Sequence, residues 1–149
     1  LIFNGLDGSS VEGCAAASPH DPVKLADDPD SYPRAVATAV AALRSKGVGG
    51  PYGIALGQYD HLSVIESTER GGYPVLQHLH LILDGPVVWA PSVDGAVVVS
   101  LRGGDFQIIA GIDFAVGYRA HDAERVQLEL RETVTFRNTN PEAAIAIVH

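Results

Sequence analysis

The chain has 149 residues, 46% of them hydrophobic and 19% charged, enough apolar material for one packed domain and too little charge for a disordered one. A net charge of −8 repels phosphate backbones and argues against a nucleic-acid partner. No apolar run approaches the roughly 20 residues of a helical bilayer span, so no membrane partner is expected.

Residues 4–30 read as an irregular connection, carrying Gly5, Gly8, Gly13, Pro19, Pro22 and Pro29, with Asp27, Asp28 and Asp30 close together. A helix is predicted over 32–45, with Ser31 as N-cap, Pro33 in its first turn, and Val36, Val40 and Leu43 at helical spacing. Gly47 and Gly49-Gly50-Pro51 stop it. Tyr52–Leu56 reads as a buried strand, and 60–66 as a short helix whose Leu62, Ile65 and Val64 face inward. A polar break at 67–72 precedes a helix opened by Tyr73-Pro74 and reaching Leu83.

From Pro86 the pattern becomes extended, with β-rich runs at 87–90, 96–101, 106–110 and 112–118. The clearest strand spans 126–137, with Val126, Leu128, Leu130, Val134 and Phe136 on one face, Glu132 the exception. At about 3.3 Å per residue it reaches roughly 35–40 Å, long for a domain of this size and suited to lateral packing against neighbours. A last apolar strand covers 143–148. Helices and strands mixed without a regular βαβ repeat make an α+β pattern.

Two further features concern the whole product. The sequence has no methionine, and Leu1 opens an apolar Leu-Ile-Phe triplet without the charged n-region of a signal peptide, so it is expected to be part of a longer product. The single Cys14 excludes an internal disulfide and fits a reducing cytoplasm.

No catalytic set emerges. His78 and His80 lie two apart on a predicted helix, roughly 200° around its axis, and so do not face one ion. His61, His121 and His149 lack partners at ligand spacing. Cys14 follows Glu12-Gly13, which matches no nucleophile signature, and reads as a small apolar filler. Gly47–Gly53 lacks the Gly-Lys-Ser/Thr of a phosphate loop, and Gly103-Gly104 reads as a turn. Asp27 and Asp28 share a loop without the apolar enclosure that would separate their pKa values. No cofactor is expected.

Several phrases occur in a telling order: Gly50-Pro51-Tyr52-Gly53, Gly72-Tyr73-Pro74, Trp89-Ala90-Pro91 with Asp94-Gly95-Ala96, and Leu101-Arg102-Gly103-Gly104-Asp105-Phe106. Gly117-Tyr118 with His121-Asp122, and Glu132-Thr133-Val134-Thr135-Phe136 with Pro141-Glu142-Ala143, complete the series. Together they resemble encapsulins, bacterial nanocompartment shell proteins once described as linocin-type bacteriocins, and actinobacterial members in particular, over the whole chain.

That resemblance implies a tailed-phage major capsid (Hong Kong phage type) fold and a structural subunit, not an enzyme, that assembles with itself into an icosahedral cytoplasmic cage. The cage would hold cargo such as a dye-decolorising peroxidase or a ferritin-like protein. Residues 1–30 would be the end of the long peripheral helix, at Leu1–Gly5, and a connection. Residues 31–118 would form the axial domain, and 119–149 the strands returning to the peripheral domain. The family's amino-terminal helix, extended loop and most of its long helix would be missing. The loop Ser67, Thr68, Glu69, Arg70, Gly71, Gly72 and Tyr73 would line a fivefold pore, with Glu69 and Arg70 setting its charge. Two alternatives stay open: a hydrolase, peptidase-like or bacteriocin activity, and a small metal-binding module using the histidines.

Overall fold

Two elements in the chain bury apolar residues at different periods, and each finds its partner in the other. The computed structural model describes residues 1–26, 28, 31–69 and 72–149. Helix α1 (Ser31–Ser45) buries Tyr32, Val36, Ala39, Val40 and Leu43, a stripe at helical spacing. Strand β2 (Tyr52–Leu56) is buried throughout. Helices α2 (Gln58–Glu66) and α3 (Val75–Leu83) follow, with β1 (Val23–Lys24) before α1 and β3 (Val87–Trp89), β4 (Ala96–Ser100), β5 (Phe106–His121), β6 (Val126–Asn138) and β7 (Ala144–Val148) completing the chain.

Five strands form one sheet in the order β1-β7-β4-β2-β3, with β7/β4 and β4/β2 antiparallel and the outer pairs parallel. The pleat sends alternate side chains to opposite faces. Tyr52, Ile54, Leu56, Val98, Ile145 and Ile147 meet Val36 and Leu43 of α1 and Val75, Leu79 and Leu83 of α3 in one apolar layer. Ala55, Val97 and Ala144 face the other side, where Cys14, Ala90, Val93 and Phe136 cover them. None of the described helices is long and apolar enough to cross a membrane.

The end of α1 is fixed by its last residues. Val48 N donates to Leu43 O at 3.0 Å and Gly47 N to Arg44 O at 2.9 Å, with Gly47 at φ +74°. This paired closure needs a left-handed residue, which glycine supplies without a Cβ clash. Ser31 is the first residue of α1, and its hydroxyl donates back to Ala26 O at 3.0 Å. The aspartates Asp27 and Asp30, read as part of an acidic loop, lie outside the described residues.

Leu1–Gly5 makes a single turn, Gly5 N donating to Leu1 O at 2.9 Å. Cys14 N then binds Ile2 O at 2.8 Å and Ala15 N binds Phe3 O at 3.2 Å, so a returning backbone takes the carbonyls of that turn. Two expectations are corrected. In α2 only Asp60 and Val64 are buried, whereas Leu62 and Ile65 point outward, about half exposed. The runs 106–110 and 112–118 are one strand. Gly111 marks a bulge, not a break: Ile112 N donates to Thr133 Oγ1 at 2.6 Å, and a Cβ on Gly111 would stand 2.8 Å from that oxygen.

The expected division between Tyr118 and Arg119 falls inside β5, and β7 lies in the sheet beside β4. By contacts, the chain divides into a body and a ribbon formed by β5 and β6.

Candidate pore loop and assembly ribbon

The loop between α2 and α3 is closed by its backbone. Thr68 bridges Pro74, Glu69 N donates to Tyr73 O at 2.8 Å, and Gly72 N donates to Glu69 O at 2.8 Å with Gly72 at φ +80°. Ser67 N still binds Ser63 O at 3.0 Å, so the loop continues directly from α2. Arg70 and Gly71 lie outside the described residues. The Glu69 carboxylate turns back to α3, where its Oε1 meets His78 Nδ1 at 2.5 Å. Tyr73 stands edge-on to the same imidazole, 6.3 Å between ring centroids. His78, set aside in the sequence, is thus the partner that orients the loop's acid; nine residues separate the pair, and no local spacing signals it.

His80 points elsewhere, its Nδ1 donating to Gly85 O at 3.1 Å. Among the described residues no group of three or more His, Cys, Asp or Glu side chains is placed to hold a metal ion. Cys14 is 1% exposed, and burial pushes its thiol up to about 11, so it stays protonated at neutral pH and is a poor nucleophile.

The ribbon leaves many large apolar side chains uncovered. Opposite residues share a face, and the pairs Ile108/Phe136, Ala110/Val134, Val116/Leu130 and Tyr118/Leu128 make one apolar strip. Yet Val116, Tyr118, Leu128 and Leu130 are 59–65% exposed. Gln127, Glu129, Arg131, Thr133 and Thr135 occupy the other face, with Arg131 Nη2 on Glu129 Oε1 at 2.6 Å. The base is anchored: Phe106 stacks on Phe136 at 6.1 Å, and Phe136 enters the second apolar layer.

Asp105 ties both legs of that base together. Arg102 grips its carboxylate with two bonds, Nε to Oδ2 at 2.9 Å and Nη2 to Oδ1 at 2.8 Å. Asn140 Nδ2 adds a third at 3.1 Å, and the Thr139 amide donates to Asp105 O at 2.8 Å. The Arg102 hydrogen bond outweighs burial and holds the Asp105 carboxyl below the usual carboxylate range. The expected Gly103-Gly104 turn is present, both residues at positive φ. At the far tip, Asp122 Oδ1 accepts from the amides of Glu124 and Arg125 at 2.9 and 2.8 Å.

The Linocin_M18 family model, described as "Encapsulating protein for peroxidase", matches residues 1–135. The chain belongs to the encapsulin family. This encapsulin chain is 43% identical over 146 residues to the type 1 encapsulin shell protein of Rhodospirillum rubrum, covering 98% of this chain and 52% of that protein. It is 40% identical over 148 residues to the type 1 encapsulin shell protein of Mycobacterium tuberculosis, covering 99% of this chain and 56% of that protein. It therefore spans about half the length of these curated relatives. Among solved structures, the virus-like particle from Pyrococcus furiosus matches with a TM-score of 0.70 at 18% identity, over 83% of this chain and 55% of that one. The α+β, capsid-like fold expected from the sequence is the fold found.

Proposed function

We propose that the encapsulin chain is the part of a shell subunit that assembles with further copies into a closed nanocompartment, a structural role and not a catalytic one. The observation that carries this reading is the ribbon: a two-stranded sheet is marginal alone, and this one leaves Val116, Tyr118, Leu128 and Leu130 of its apolar face in water. Coverage by a neighbouring surface removes that cost. The body with its five-stranded sheet corresponds to the axial domain, and the ribbon to the peripheral strands. The family's description supports a peroxidase as the enclosed cargo, and the single buried thiol suits a cytoplasmic particle.

Electron microscopy and sedimentation of the purified chain should show particles far larger than the 15.7 kDa monomer. Leu128→Lys with Leu130→Lys should return it to monomer size with unchanged circular dichroism. A monodisperse monomer for the unaltered chain would overturn self-assembly.

We also propose that the loop of Ser67, Thr68, Glu69, Arg70, Gly71, Gly72 and Tyr73 lines an opening in the shell. Its support is the exposed position between α2 and α3 and the carboxylate held at its rim by His78. Glu69→Ala with Arg70→Ala should change the rate at which small ions reach a dye sealed inside assembled particles. Unchanged influx would sink this assignment.

A further inference from the structure

Helix α2 is thinly held. Of its nine residues only Val64 and Asp60 are buried, and the preceding Gly57 offers no side-chain cap. Asp60 is 4% exposed, and a buried carboxylate is costly unless it is hydrogen-bonded. Its Oδ1 accepts from two other elements. One donor is the Tyr32 hydroxyl of α1, itself 3% exposed. Burial and the neighbouring Asp60 carboxylate push the Tyr32 phenol up, so it remains a donor. The other is His149 Nε2, 3.0 Å away, which follows β7 and is about half exposed. Three separate parts of the chain therefore converge on one oxygen.

We propose that Asp60 is the catch of a conformational latch, in which His149 holds α2, and with it the loop that continues from α2, against the body. When His149 leaves, α2 keeps Val64 and the Tyr32 hydroxyl as its buried anchors, and its motion is felt by residues 67–69, which join it through Ser67 N and Ser63 O to a segment held on α3 by Val75 N on Ser67 O and by Glu69 on His78. The position of the β7 end is thereby coupled to the loop through a single charge-assisted contact. The latch itself stands independently of whether the loop lines an opening, because its readout is motion and not ion influx.

Hydrogen exchange on the chain tests it. His149→Ala should speed exchange of the α2 amides and of Glu69 and Gly72 by about tenfold or more, the scale of losing one hydrogen bond to a charged group. Amides of β2 and of the β5/β6 ribbon should not change. His149→Gln, which retains an N–H donor, should recover part of the protection. Since His149 is half exposed, its removal leaves the core intact, and Asp60→Asn supplies a second variant at the catch itself. Unchanged exchange in α2 and the loop would overturn the latch, as would equal acceleration throughout the body.

Discussion

Leu56→Ala should lower the stability of this chain by about 2–5 kcal/mol, the cost of lost transfer energy plus a residual cavity. Leu56 is 0% exposed and stands where three strands meet, opposite Ala96 of β4 and Trp89 of β3. Its carbonyl also takes the Ala90 amide at 2.8 Å, so the backbone there is held on both sides and collapses little around a void. Urea unfolding should show a lower midpoint with an unchanged slope, the sign of a stability change without a change in the exposed surface. A loss below about 1 kcal/mol would mean that this layer repacks freely, contrary to a close-packed interior.

Gly95→Ala should be of similar size for a different reason. Gly95 sits at φ +76°, and a Cβ built there would lie 2.3 Å from Ile147 O on the neighbouring strand. The left-handed backbone costs an L-residue roughly 1–2 kcal/mol, and forcing β7 away adds about 1–3 kcal/mol. Gly103 offers the control, at φ +90° with nothing within 4 Å of its would-be Cβ. Gly103→Ala should therefore lose only the backbone part. Equal losses at the two positions, measured by thermal unfolding, would refute the close approach of β7.

Much of this architecture was legible because its signals are local. The Val36, Val40, Leu43 spacing and the Gly47 stop predict α1, and the structure closes that helix at Gly47. The apolar alternation of 126–137 marks the ribbon's second strand and its apolar face, which the pairing of Leu128 with Tyr118 and Leu130 with Val116 bears out. The failures are where a distant partner decides. Leu62 and Ile65 carry the right period to face inward, but α2 turns on Asp60, whose burial depends on Tyr32 and on His149 far along the chain. Gly111 reads as a strand break in isolation, because the Thr133 hydroxyl that accommodates the bulge lies in another strand. The two-residue β1 has no pattern of its own and exists through its pairing with Ile147 and Val148. In the loop, Glu69 was singled out for its charge, while the imidazole it meets belongs to a helix read by its apolar stripe.

The place of β7 has a consequence for how the polypeptide is made. This strand lies between β1 and β4, yet the whole excursion of β5 and β6 is synthesised before it. On the ribosome, β4 can therefore pair with β2 while its other edge stays open until residues 144–148 emerge. Such a nascent state offers an unpaired β-edge beside an apolar ribbon, two adhesive surfaces on one tethered chain. The longer residues 144–148 take to emerge, the longer both surfaces stay open to other chains.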